Sequence, residues 1–571
     1  MYFWQIAEDK NYLDSTEKEK DLQKTLKYTL SNLRKICKTK EYDVNSVCIG
    51  YLFEYIKSDL IELISLFTDP TNRNLLVSGK HNLLNLEWNK YFFDICKKFH
   101  IPDFLYWFFI NVPYFYRDNI DIRRDIYLKM INYINDNWDP EDYFLDNQFL
   151  FMTQSSYQPY PLVYHNKSNK DIMKAICKLI RKICPGVNYT SNNLLSYNQG
   201  NIIKICFVSD SLMTDSSVLR DRMGIIRNLP STEFDVYFAS TIKPSEIKGK
   251  VCKVFYRLMK DKFIQLDKNN LISSRQRLDG KFHIIVYPDI GMRVFQTFLS
   301  YSRLAKVQIN TWGHSDTSGI DTLDYYITSK YFEPDNQQQT RNFYSEKVIL
   351  MNSLSTYYYP ADVLFLPKNF TYKSREYFGF SNEDNIYWCM QTFYKFNQEF
   401  EETIGKILEL DPNAKLLMTN CIPFSKSHLT RLKENFGEEG INKLRFYPSL
   451  NKEVFLNLVK ISDVCLDPFP FGGCNSSLEA FTYDVPVVTF PGNYINGRFT
   501  LGFYKKMGVM DCVVWNKCDY ITLAHKLATD FSYNKLIRSK ISSKKSSLFY
   551  DKASVKEWSV VLKKSLSYKN K

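Results

Sequence analysis

The sequence predicts an α/β chain, a pair of Rossmann-like domains preceded by an all-helical N-terminal domain. Three observations point to it. From Asn201 onward, short apolar runs ending in polar residues alternate with stretches of helical periodicity, the pattern of parallel strands covered on both faces. The alternation breaks near Pro360–Ser381 and resumes at Asn385. Before residue 190 the strand–turn rhythm is missing and apolar residues fall at helical spacing.

In the N-terminal part, Ser15–Lys38 and Ser46–Phe67 show that spacing, the second through Leu52, Tyr55, Ile56, Leu60, Leu63, Ile64 and Phe67. Roughly six to nine helices fit the region, without the self-similarity of a helical repeat array. A scaffold and an arm that binds an acceptor or partner are equally compatible with it. The amphipathic stretch Asp171–Cys184 predicts its last helix, Pro185-Gly186 ends it, and the polar run to Gly200 reads as a linker.

The first domain, residues 200–375, is expected to carry strands at Ile202–Val208, Phe234–Phe238, Val251–Phe255, His283–Tyr287, Val307–Asn310 and Tyr325–Ile327. Helices are expected at Val218–Leu229 and Ile264–Gln276. The second, residues 380–531, is expected to carry strands at Ile386–Met390, Lys415–Met418 and Leu444–Tyr447, with helices at Glu399–Leu410, Leu429–Phe436 and Lys452–Ile461. Then comes Asp463–Gly508, around which the rest is organised: strand Val464–Leu466, glycines Gly472 and Gly473, a polar run, a helix through Leu478–Phe481 and strand Pro486–Phe490. Backbone amides at a helix N-terminus after a glycine turn suit a phosphate. A basic helical segment, residues 532–571, is expected to pack back across the first domain.

Composition narrows the class. A chain of 571 residues has room for roughly two to four domains. The net charge of +13 is spread along the chain, with one lysine-rich concentration at Lys535–Lys571. It reads as a basic surface and solvated tail, without a specific nucleic-acid partner. The 13 cysteines include no C-x-x-C pair, as in a reduced intracellular protein without structural zinc. No secretory signal follows Met1, and the most apolar run, Phe104–Tyr116, contains Asn111 and Pro113 and is too short to span a bilayer. A soluble cytoplasmic protein, or a nuclear one, is expected.

The string Asp467-Pro-Phe-Pro-Phe-Gly-Gly-Cys-Asn-Ser-Ser-Leu-Glu-Ala resembles the donor-binding motif of the O-GlcNAc transferase family, inverting UDP-sugar glycosyltransferases of GT-B architecture. Four other stretches fit that family in order: Ile284–Met292, the Trp-Gly block Thr311–Gly319, Leu323–Ile327, and Gln391–Lys395, whose spacing is one residue longer than usual. The resemblance runs over residues 200 to 530 and lacks the family's tetratricopeptide repeats.

The residues themselves leave two readings for Asn475, Ser476 and Ser477 behind Gly473: a diphosphate cradle, or simply a helix start in which Ser476 and Glu479 form a capping box. The resemblance implies that Glu479 contacts the donor ribose and that Cys474 stands where His is common. It further implies that Leu450 backbone groups read the uracil, that Lys452 lies beside it, and that Arg498 fits a P-G-x(4–5)-R pattern after Pro491-Gly492. Phe455 stands where relatives can carry His and reads equally as core. Lys395, past a strand end, can neutralise a departing UDP, with Gln391 beside it; such charge is stabilised by cations and amides without metal. No D-x-D string occurs, so neither metal nor other cofactor is expected.

For the general base, Thr214 occupies the place of a family His after the first strand. The candidates are Asp215, His283 and His314, of which His314 lies in a glycine-flanked loop. The expected reaction is transfer from UDP-GlcNAc, or another UDP-sugar, to a protein Ser or Thr hydroxyl. The alternatives are a nucleotide-sugar-binding protein without turnover, and a UDP-sugar epimerase, against which the Trp312–Gly319 block and the helical N-terminus argue.

Overall fold

The structure is a computed structural model that describes residues 90, 93, 120–139, 159–198, 200–419, 426–447 and 450–568. The helices expected at Ser15–Lys38 and Ser46–Phe67 and the apolar run Phe104–Tyr116 lie outside the described residues. The chain forms two compact units, residues 1–111 with 118–134, and residues 112–117 with 135–571. Most of what is described of the first unit is the helix Ile120–Asn137, on which Tyr127, Met130, Ile131 and Ile134 are buried.

The second unit holds two parallel sheets. The first has seven strands: β1 Ile203–Val208, β2 Phe234–Ser240, β3 Phe263–Gln265, β4 Ile284–Tyr287, β5 Val307–Thr311, β6 Tyr325–Ser329 and β7 Lys347–Met351. Their order is β3-β2-β1-β4-β5-β6-β7. The second has five: β8 Asn385–Cys389, β9 Ala414–Thr419, β10 Leu444–Tyr447, β11 Val464–Leu466 and β12 Val487–Val488, in the order β10-β9-β8-β11-β12. Every pairing is parallel. Central strands such as β4 and β5 are buried throughout, because helices cover both faces. Strand order reverses between β1 and β4 in the first sheet and between β8 and β11 in the second. At such switch points connections leave to opposite faces and open a crevice at the carboxyl ends.

Three elements differ from expectation. Val251–Phe255 is the start of a helix, Lys250–Met259, rather than a strand. Val251, Cys252, Phe255 and Met259 are buried at helical spacing while Lys253 and Val254 face solvent, and a five-residue apolar window cannot separate the two periods. The edge strand is β3, so the next helix begins at Leu271, where Asn270 caps it by accepting from Ser273 N at 2.9 Å. β7, which the sequence did not single out, closes the other edge.

The last helix, Lys552–Tyr568, returns to the first sheet. Its Val555, Trp558, Leu562 and Leu566 join the β1–β7 core. Trp558 Nε1 donates to Ser355 O at 2.9 Å, and Glu557 accepts from the amides of Asn352 and Ser353. Among the described residues no helix is long and apolar enough to cross a membrane.

Candidate functional site

The second sheet's switch point gathers the residues from the glycine turn. Lys395 ends a one-turn helix after β8; its Nζ donates to Gln391 Oε1 at 2.8 Å and to Gly472 O at 2.6 Å. It lies 4.1 Å from the centre of the Phe471 ring. Burial pushes this lysine down to about 8, against the pull of Asp467. Gln391 Nε2 donates to Ser476 Oγ. Behind them Asp467, at the end of β11, accepts from Gly473 N through Oδ1 and from Thr489 Oγ1 through Oδ2, which fixes the turn. At Gly473 a Cβ would meet Ser476 Oγ at 2.5 Å and Gln391 Nε2 at 2.7 Å, so any larger residue would displace both side chains.

The helix that follows is Asn475–Thr482, with Cys474 as its N-cap and no side-chain cap. Its first helical bond runs from Leu478 N to Cys474 O at 3.2 Å, so the amides of Asn475, Ser476 and Ser477 have no acceptor within the helix. The capping box does not form. Ser476 lies inside the first turn, its hydroxyl meeting Gln391, and Glu479 turns away to two cations. Ser477 Oγ is buried against Thr500 Oγ1 at 2.7 Å. Cys474 Sγ lies 3.4 Å from Tyr358 OH, and burial raises its thiol well above the usual range, so the group is neutral.

Glu479 is where the two sheets meet. Its Oε1 accepts from Arg220 Nη1 and from Lys452 Nζ, each at 2.7 Å. Burial alone would raise this carboxyl, but Lys452 and Arg220 hold it below its ordinary value. Asn475 Nδ2 donates to Asp221 Oδ1 at 2.7 Å, and Tyr358 OH donates to the same oxygen at 2.6 Å. Arg222 lies 4.1 Å from the Trp312 ring centre and donates to Thr311 Oγ1. One turn of the helix Ser217–Asn228 thus reaches the helix Asn475–Thr482 with two buried charges, Arg220 and Asp221, while buried Arg222 stays with Thr311 and Trp312. The sequence reading missed this turn, because Arg-Asp-Arg on a helix resembles a solvated face; the only signal is its place between Leu219 and Met223.

Other predicted residues have structural duties. Arg498 donates to Phe332 O, Glu333 O and Gly492 O, so it clamps two loops together. Lys452 begins the helix Lys452–Ile461 but is committed to Glu479, and Leu450 is half-buried beside it. Phe455 is half-buried against the core, 4.9 Å from the Trp388 ring.

The base candidates separate. Asp215 Oδ1 accepts from Val251 N at 2.9 Å and from Cys252 N at 3.3 Å, capping the helix that was expected to be a strand. His283 precedes β4, at the amino end of the sheet, where Nδ1 accepts from Lys204 N at 2.9 Å. Neither is a free base at the carboxyl ends. His314 follows β5, at the proper end. It is buried, its Nε2 has no hydrogen-bond partner, and burial lowers it to about 4, leaving it neutral at pH 7. Gly291, at φ 87°, lets the β4 loop approach it: a Cβ would lie 2.6 Å from His314 Nδ1. Also unforeseen is Asp289 after β4, whose Oδ2 accepts from Ser209 Oγ and Asp210 N. Burial, with Asp210 nearby, raises it to about 7.

A turn from the region read only as helical, Tyr160–Tyr164, links the two ends. Tyr160 lies 5.0 Å from His314, Tyr164 lies 5.1 Å from Phe471, and the two tyrosines are 5.5 Å apart. Asn496 Nδ2 donates to Val163 O, and Asn169 Nδ2 to Asp316 Oδ2. Among the described residues no three His, Cys, Asp or Glu side chains converge as metal ligands.

Two parallel sheets joined through buried charges at their switch points define a GT-B-like pair of Rossmann-like halves. Residues 361–558 match the model of glycosyl transferase family 41. Among curated proteins it is 26% identical over 242 residues to the SPINDLY protein of Solanum lycopersicum, a probable UDP-N-acetylglucosamine–peptide N-acetylglucosaminyltransferase, covering 40% of this chain and 24% of that one. It is also 26% identical over 199 residues to the UDP-N-acetylglucosamine–peptide N-acetylglucosaminyltransferase of Giardia intestinalis, covering 34% of this chain and 13% of that one. The chain thus aligns with a quarter or less of these relatives' length. Among solved structures, a mutant O-GlcNAc transferase from Thermobaculum terrenum shares the fold, with a TM-score of 0.60 at 17% identity over 96% of this chain and 98% of that one.

Proposed function

We propose that the protein transfers a sugar, N-acetylglucosamine, from a UDP-sugar to a Ser or Thr hydroxyl of a protein, with inversion. The observation that carries this reading is the switch point of the second sheet: Lys395, Gln391 and the first-turn amides of Asn475–Ser477 converge behind a fixed glycine turn. A lysine and unbonded amides compensate the charge that gathers on a departing diphosphate. In the proposed reaction the acceptor oxygen forms a bond to the anomeric carbon as the bond to the phosphate oxygen breaks. The electron pair leaves with UDP, and the hydroxyl proton passes to His314 Nε2. Glu479 receives the ribose, and Leu450 the uracil. No metal enters this scheme.

The test is incubation of the full chain with radiolabelled UDP-GlcNAc and an array of Ser- and Thr-containing peptides. Label on peptides supports the reading. Absence of any UDP binding would sink it. A second reading, a nucleotide-sugar-binding protein without turnover, is favoured by one observation: His314 is sealed under Tyr160 while Asp215 is spent on a helix cap. UDP binding with neither transfer nor donor hydrolysis selects it.

A further inference from the structure

Glu479 is bound from both halves of the molecule, and the two contacts use the same oxygen. Arg220 Nη1, from the helix after β1, and Lys452 Nζ, from the helix after β10, both donate to Oε1. Arg220 and Glu479 are buried, with side-chain exposures of 7% and 4%, whereas Lys452 is 33% exposed. Both line a hollow shared with Tyr358, Asn475 and Leu478, beside the first turn of the phosphate-facing helix. A carboxylate has acceptor positions on both oxygens, so holding Oε1 leaves Oε2 to receive hydroxyl groups. Arg220 is itself seated by the Phe365 ring, 5.3 Å away, and its neighbour Asp221 ties the same helix to Asn475.

We propose that Arg220 is a positioning residue for donor recognition. From the first half of the molecule it fixes the ionised Glu479 of the second, so that Oε2 reads the ribose hydroxyls of the nucleotide. The inference rests on the UDP-sugar reading above. It assigns to the acceptor-side half a part in selecting the donor, which the second sheet alone would not supply. Without Arg220, the buried carboxylate keeps one partially solvated cation, its orientation is no longer fixed, and protonation becomes easier. Burial opposes the charge of Glu479 and the two cations restore it, in line with this arrangement.

The experiment is isothermal titration of the full chain with UDP, 2′-deoxy-UDP and 3′-deoxy-UDP, on wild type, Arg220→Gln and Arg220→Lys. Loss of a hydrogen bond to a charged group weakens binding about ten- to a hundredfold, so wild type should discriminate against at least one deoxy analogue by that factor. Arg220→Gln should bring the ratio to within about twofold of unity, and Arg220→Lys, which keeps the charge, should restore part of it. A purely structural role would weaken all three ligands equally and leave the ratio intact, and that result overturns the proposal. If Arg220→Gln loses its cooperative thermal transition, the lysine variant decides: a wild-type ratio there, with UDP affinity uniformly lowered, also overturns it. Wild type that binds UDP without ribose discrimination refutes the inference alone. Wild type that binds no UDP refutes the functional reading and this inference with it.

Discussion

At the switch point of the first sheet the converging side chains are acceptors: Asp210, which takes Ser240 Oγ, Thr241 N and Thr241 Oγ1, and Asp289 beside it, with neutral His314 on the next loop. At the switch point of the second they are donors: Lys395, Gln391 and a row of helix amides. The same topology therefore presents opposite chemistry at its two strand-end crevices. An end rich in acceptors suits a hydroxyl that must give up a proton, and an end rich in donors suits a leaving group that departs as an anion. The division explains why the glycine turn identified one half of the site readily and left the other half open.

The sharpest way to break the division is to remove the neutral imidazole. His314→Asn should lower the transfer rate about 10²- to 10⁴-fold while UDP affinity stays within a factor of about two, measured by single-turnover transfer beside UDP titration. A rate near wild type would remove His314 from the acceptor end. On the donor side, Lys395→Ala should weaken UDP binding by about 2–3 kcal/mol, read by calorimetry, because a charge-assisted contact is lost.

That lysine gives the comparison a pH signature. Its value of about 8 means that the charged form predominates below pH 8 and the neutral form above it. UDP affinity of wild type should therefore fall as pH rises through about 8, a trend that Lys395→Ala should flatten. A flat wild-type profile would show that the ammonium group is not what holds the diphosphate. The smallest effect is expected at Asp215. As a cap on Lys250–Met259, its replacement by alanine should cost about 1 kcal/mol in denaturant unfolding and leave turnover within a factor of about two. A large loss of rate at unchanged stability would restore Asp215 as the base.

Much of this architecture is legible in the chain, for physical reasons. Strands buried on both faces, such as Ile284–Tyr287, read as continuous apolar runs, and Gly472-Gly473 before a polar run marks the turn into the helix Asn475–Thr482. What was illegible depends on tertiary partners. Nothing local shows that Arg220 and Asp221 are buried, since their partners Glu479, Asn475 and Tyr358 lie more than a hundred residues away, and Arg222 finds its own in Thr311 and the Trp312 ring. The Ser476–Glu479 box looked complete by spacing, but two cations outcompete a backbone amide for a buried carboxylate. Arg498 fitted a motif and is spent on three carbonyls. His283 stands beside a family block and lies at the amino end of its strand, opposite the end where such sheets hold ligands.

The most direct measurement is an experimental structure of the full chain with UDP bound. The account predicts the diphosphate within hydrogen-bond reach of Lys395 Nζ and the amides of Asn475–Ser477, with the ribose at Glu479. A diphosphate bound elsewhere, with Lys395 still donating to Gln391 and Gly472, would contradict it.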